Sequence, residues 1–190
     1  MYTADQALAR LKAGNKRFLN GRARFPTVQK EVLAELAKEQ RPYATIIGCS
    51  DSRVPPELVF DAHFGELFIV RVAGNVISPE VMGTLQYAAV HLRTPLFVVL
   101  GHEGCGAIQA ALARKFKGAR ERGRIELLLE KILPGLDKVE NDLAAAVEAN
   151  VYWSMRQLRE TPEGRARMAE GVVKLAGAIY ELKTGRVRFL

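Results

Sequence analysis

The stretch "ELFIVRVAGNVISPEVMGTLQYAAVHLRTPLFVVLG" (66–101) decides the fold. It opens and closes on apolar runs of strand length, "ELFIVRV" and "PLFVVLG", which read as buried strands. Between them, Ser78 suits a helix N-cap and Pro79 the first helical position. Val81, Leu85, Ala88, Ala89 and Leu92 then fall on one helical face. Strand, helix, strand at this spacing predicts parallel pairing through a right-handed crossover.

Working outward, "YATIIG" (43–48) supplies a third buried strand. Ahead of it, "DQALARLKAGNKRFLNG" (5–21) puts Leu8, Leu11 and Phe18 at roughly helical spacing and stops at Asn-Gly. "PTVQKEVLAELAKEQRP" (26–42) predicts a second short amphipathic helix, with Pro26 near its start and Pro42 after its end. Downstream, a helix is expected from about Cys105 to Phe116, then an irregular charged and leucine-rich segment (118–135) with a short helix. A long helix is expected over 136–160, with Val139, Leu143, Ala146, Val147, Asn150, Val151 and Leu158 near one face. "TPEGRARMAEG" (161–171) starts another short helix, and "GAIYELKTGRVRFL" (177–190) reads as a hairpin turning at Thr184-Gly185. The expectation is one α/β domain with a mainly parallel central β-sheet flanked by helices. A helical arm (1–41) precedes the α/β core (42–190), which closes on C-terminal edge strands. No repeat, linker or low-complexity tract interrupts the 190 residues.

Apolar residues at 48% and charged residues at 26% match an ordinary soluble globular chain. No window has the eighteen consecutive apolar residues of a membrane span, and the N-terminal segment lacks a signal-like apolar core. A cytoplasmic protein without a membrane partner is expected. The net charge of +7 includes one basic cluster, "ARKFKGARERGR" (113–124). Glu121 interrupts it and no aromatic ladder accompanies it, so it reads as a solvated surface rather than a nucleic-acid site.

The chemistry concentrates at strand ends. "PLFVVLG" runs into "HEGCG" (102–106), placing His102 and Cys105 three residues apart at a helix start. Cys49, the only other cysteine, occupies the matching place after "YATIIG". Residues just beyond the carboxyl ends of neighbouring parallel strands line one crevice. Two thiols and an imidazole converging there suit zinc, and three protein donors leave a fourth position for water. Asp51 and Arg53 follow Cys49 at i+2 and i+4, where a bidentate pair would keep Asp51 ionised and aimed at the metal. Asp51 could then accept a proton from metal-activated water or act as a fourth ligand.

"CSDSR" (49–53) followed about fifty residues later by "GHEGCG" (101–106), with "GELFIVRVAGNVI" (65–77) between them, resembles the β-class carbonic anhydrases. The resemblance covers most of the chain and weakens in the arm and over 118–135. It implies Cys49, His102 and Cys105 as zinc ligands and Asp51 with Arg53 as the active-site dyad. It further implies Gln40, reaching into a neighbouring subunit's pocket, together with Phe68, Tyr87 and the Gly106 N–H as substrate contacts. The implied assembly is a homodimer or a dimer of dimers, with the N-terminal helices embracing the partner. The implied activity is reversible hydration of carbon dioxide to bicarbonate and a proton, by zinc-bound hydroxide that the Asp51–Arg53 dyad orients. Some family members carry a bicarbonate-regulated pocket needing a tryptophan three residues before the first zinc cysteine. Here that position is Ile46 and the only tryptophan is Trp153, although Arg71 matches the pocket's arginine, so such regulation is not expected. The alternatives are hydrolysis of carbon disulfide or carbonyl sulfide on the same fold, a zinc-stabilised binding module without catalysis, and a redox protein using Cys49 and Cys105. His63 and His91 lie outside any proton-shuttle motif.

Overall fold

The computed structural model describes residues 2–24 and 30–190, the side chain of Glu163 apart. The expected helix start at Pro26 lies outside the described residues. Helix α1 (Ala4–Leu19) begins at Thr3, whose side chain forms a reciprocal capping box with Gln6, and ends at Asn20. Helix α2 (Lys30–Leu36) follows, ending at Leu36 before its sequence pattern does and with no buried residue.

Strands β1 (Ala44–Gly48), β2 (Leu67–Arg71) and β3 (Leu96–His102) form where the apolar runs predict them. A short helix α3 (Pro56–Val59), absent from the sequence reading, sits between β1 and β2. Helix α4 (Pro79–Tyr87) starts on the expected Ser78 cap and continues as a π-helical turn through Ala88–Leu92. After β3 come α5 (Gly106–Lys117), α6 (Arg124–Ile132), α7 (Leu143–Glu160) and α8 (Pro162–Ala169). The short helix expected within 118–135 is α6, followed by a 3-10 turn at Leu133–Leu136, so less of that segment is irregular than expected. Helix α7 starts seven residues later than the leucine pattern suggests, because the Asp142 side chain accepts from the amides of Ala144 and Ala145 and fixes the start there.

Strand β4 (Lys174–Tyr180) joins β3 in parallel, and β5 (Val187–Phe189) closes the sheet antiparallel to β4. The order is β2-β1-β3-β4-β5, with β1, β2, β3 and β4 all parallel. All seven residues of β3 are buried because both faces of the sheet are covered. One apolar layer joins Ile47, Phe97 and Val99 to α4, α5, α6 and α7; the other joins Ile46, Val98 and Leu100 to α1 and α3. Gly101 and Gly177 let α7 approach closely: a Cβ on Gly101 would lie 2.7 Å from Val151 Cγ2, and one on Gly177 2.8 Å from Met155 Sδ.

On the α1 side, Asn15 donates to the carbonyls of Val59 and Gly185 and accepts from the Val187 amide, so one buried amide ties α1 to α3 and to the C-terminal hairpin. No helix among the described residues is long and apolar enough to cross a membrane.

Candidate metal centre

Strands β1 and β3 are neighbours, so their carboxyl ends meet. Cys49 leaves β1 directly after Gly48, His102 is the last residue of β3, and Cys105 immediately precedes α5. Their donor atoms all lie within 4.8 Å of one another and all three residues are buried. His102 Nδ1 lies 2.9 Å from the Glu103 carbonyl. If Nδ1 carries the proton, it donates to that oxygen and leaves Nε2 as the lone-pair atom facing the thiols. Nε2 is buried with no hydrogen-bond partner among the described residues. A buried imidazole nitrogen left unmatched between two sulfurs is the pattern a metal completes.

The electrostatics agree. The Cys49 thiol is held well below its ordinary value, chiefly by the hydrogen bond from Cys105, against the opposing effect of burial; His102 and the Gly74 amide add to it. Cys105 is correspondingly pushed up by Cys49 and by burial, although the amides of Ile108 and Ala107 at the start of α5 pull the other way. At His102 burial works against protonation, yet the Cys49 thiolate and the Asp51 carboxylate raise its pKa overall. The pocket thus favours positive charge, and a cation with Cys2His donors fits it.

Asp51 faces the same pocket. Arg53 clamps it bidentately, Nε donating to Oδ1 at 2.9 Å and Nη2 to Oδ2 at 2.7 Å, while the Arg53 backbone N–H donates to Oδ1 at 3.0 Å. These bonds keep the Asp51 carboxyl far below the usual carboxylate range. Its Oδ2 stands 3.9 Å from His102 Nε2. Donors around a tetrahedral zinc are separated by about 3.5 Å, so a metal held by Cys49, His102 and Cys105 would have the Asp51 carboxylate near enough to serve as a hydrogen-bond acceptor or a further donor.

The remaining expected residues lie further out. Phe68 is half-buried on edge strand β2, in register with Thr45, and its ring centroid is 6.3 Å from that of Tyr87, which is 47% exposed. His91 stacks on Tyr87 at 4.9 Å. Gly106 opens α5 beside Cys105, and a Cβ there would meet nothing within 4 Å. Gln40 is exposed before the N-terminal end of β1, in a groove with Tyr2, Gln6 and Arg93, so one chain does not bring it to its own thiols.

Ile46 is fully buried in β1, and Trp153 lies on α7 donating to the Lys131 carbonyl. The basic cluster is partly neutralised. Arg114 pairs with Glu126 at 3.0 Å, and Lys115 donates to the carbonyls of Leu136, Asp137 and Val139.

Some supporting contacts escaped sequence reading, which named Arg71 only as a match to the regulatory pocket's arginine. Arg71 donates to the Cys49 carbonyl at 2.9 Å and to the Asp51 carbonyl at 2.5 Å, pinning the loop that carries both. The Gly74 amide donates to Cys49 Sγ at 3.3 Å. A polar Asn150 on the apolar face of α7 was the available signal, since its side chain reaches the Gly74 carbonyl.

Comparison with known proteins identifies the family. The carbonic anhydrase family model matches residues 44–187. Carbonic anhydrase 2 of Mycobacterium tuberculosis is 39% identical over 184 residues, spanning 93% of this chain and 87% of that protein. The carbonic anhydrase of Mycolicibacterium smegmatis is 38% identical over 185 residues, 93% of this chain and 88% of that protein. Among solved structures, a tetrameric beta-carbonic anhydrase of Sordaria macrospora superposes with a TM-score of 0.76 at 26% identity, covering 94% of this chain and 90% of that one. Coccomyxa beta-carbonic anhydrase in complex with acetazolamide gives 0.74 at 27% identity, with 96% and 86% covered. The family model over residues 44–187, the 39% identical relative and the superposed structure together show that the chain belongs to the β-class carbonic anhydrases and is a carbonic anhydrase enzyme.

Proposed function

We propose that the enzyme hydrates carbon dioxide reversibly to bicarbonate and a proton, with zinc held by Cys49, His102 and Cys105 and with Asp51 and Arg53 as the working pair. The observation that carries this reading is the buried Cys2His triad with an ionised carboxylate 3.9 Å from its imidazole nitrogen. Zinc bound there supplies the Lewis acidity that brings water within reach of deprotonation near neutral pH. Asp51 accepts the hydrogen bond of the attacking water and turns its lone pair toward carbon dioxide. Arg53 holds both carboxylate oxygens and keeps them charged. Arg71 keeps the backbone beneath Cys49 and Asp51 from shifting during turnover. The Gly106 N–H faces the substrate oxygens, and Phe68 with Tyr87 forms an apolar wall. Gln40 serves the pocket of a neighbouring copy, since its own pocket lies beyond the opposite end of β1.

Homo-oligomerisation fits α2, which buries nothing in the single chain and exposes Val32 and Leu33. Cytoplasmic residence fits two free thiols that must stay reduced to bind metal.

The test is stopped-flow carbon dioxide hydration between about pH 6.5 and 9, around a metal-activated water pKa of about 7, with bound zinc quantified. The expected result is one zinc per chain and activity rising with pH. Full zinc loading without hydration anywhere in that range would refute the reading. Parallel turnover of carbon disulfide and carbonyl sulfide identifies the preferred substrate.

A further inference from the structure

We propose that Asn150 and Ser154, on the buried face of α7, are positioning residues for the Cys49 donor. They hold the Ala73–Asn75 turn so that the Gly74 N–H stays aimed at the Cys49 sulfur and draws charge from it. The inference rests on Cys49 being a metal ligand, as proposed above.

The turn is unusual. Gly74 has φ +66° and Asn75 φ +46°, two successive left-handed residues of which the second is not glycine. Such a conformation persists only where its surroundings dictate it. What dictates it here is α7. Asn150 Nδ2 donates to the Gly74 carbonyl at 2.8 Å. Asn75 Nδ2 donates to Ser154 Oγ at 3.1 Å, and Ser154 Oγ donates back to the Asn75 carbonyl at 3.2 Å. Asn150 and Ser154 are one turn apart on α7 and are 2% and 1% exposed, among Ala146, Val147, Val151 and Met155. Polar groups so deeply buried are costly unless bonded, and among the described residues the side-chain bonds of these two go to this one turn. A Cβ on Gly74 would lie 2.9 Å from Ile132 Cδ1 and 3.1 Å from Ala107 Cβ, so the turn is also wedged from the α5 and α6 side.

The chemical consequence follows from the donor set. Two thiolates push more charge onto a metal than imidazoles would and make it a weaker acid. An amide N–H on a thiolate withdraws part of that charge. Cys105 has the amides of Ala107 and Ile108 at the helix start for this; Cys49 has the amides of Asp51 and Gly74, and of these two the Gly74 amide depends on α7.

The experiment uses the full chain with cobalt(II) in place of zinc, and Ser154→Ala, Asn150→Ala and, as a packing control, Val151→Ala. The first two should bind one metal per chain, shift the sulfur-to-cobalt charge-transfer band to lower energy, and lower zinc-supported hydration near pH 7 by about tenfold, recovering at higher pH. Val151→Ala should lower the melting temperature while leaving band and pH midpoint in place. An unmoved band and midpoint in both test variants, or the same shift in Val151→Ala, overturns the proposal. If the parent cobalt protein shows the band but the zinc form does not hydrate carbon dioxide, the catalytic reading fails while the band still decides this one. A parent protein without the band sinks both.

Discussion

Asp51 is the residue on which the proposed chemistry turns. Its carboxylate is clamped by Arg53 and faces the imidazole from 3.9 Å, while its side chain is only 17% exposed. Replacing it with asparagine keeps the size but substitutes an NH2 for one acceptor oxygen. Asp51→Asn should therefore retain one zinc per chain and lose carbon dioxide hydration by about a hundredfold or more, as expected when a positioned proton acceptor is removed. Metal analysis beside stopped-flow rates checks this, and unchanged turnover would remove Asp51 from the mechanism. "CSDSR" was readable as a strand end with a ligand and a paired carboxylate, because residues two apart on extended chain share a side. The Gly74 amide and the Arg71 guanidinium were not, because both arrive from β2 and the turn after it. Only folding sets which carbonyl or sulfur they reach.

Among the elements, the contact of α7 with the sheet is the most demanding. Val151 and Val147 pack where a Gly101 side chain would be, and Val151 with Met155 over Gly177. Gly101→Ala would place a methyl 2.7 Å from Val151 Cγ2, overpacking a fully buried layer. The expected cost is about 1–3 kcal/mol, read as a lower urea midpoint at unchanged slope. The start of α7 shows where periodicity misleads. Leu136 and Val139 continue the apolar spacing upstream, but the Asp142 cap starts the helix at Leu143 and the preceding leucines turn as a 3-10 segment. The same spacing suits a helix and a helix preceded by a packed turn, so the cap decided the boundary.

At the scale of the molecule, two ties link distant segments. One is Asp61, buried at φ +46° and held by Arg17 Nε at 2.5 Å and by the Arg24 backbone N–H at 2.7 Å. Burial pushes its pKa up, but these partners outweigh burial and the net shift is downward. With the folded value below the unfolded one of about 3.9, the stabilisation is present above about pH 4 and is lost as pH falls through the folded value. Asp61→Asn should cost about 2 kcal/mol at neutral pH and flatten the stability profile below pH 4, measured by urea denaturation across pH. The other tie is the proposed metal centre, whose candidate donors come from the ends of β1 and β3 and the start of α5. A metal at about a thousand times its dissociation constant adds about 4 kcal/mol, so chelation should lower the melting temperature by about 10 °C. An unchanged melting temperature would show that the triad holds no metal.

The sequence alone determined the strands, the crossover and the meeting of Cys49, His102 and Cys105 as candidate donors. Buried parallel strands demand continuous apolar runs, and a glycine followed by cysteine or histidine at two such ends marks one crevice. Tertiary structure decided what surrounds those donors. The sheet order brings Cys49 beside His102, the close approach over Gly101 brings α7 to the Gly74 turn, and Gln40 is left at the far end of β1. Residues from β2 and α7 become neighbours of Cys49 only by packing, and pattern along one chain carries no information about which distant amide will face a given sulfur.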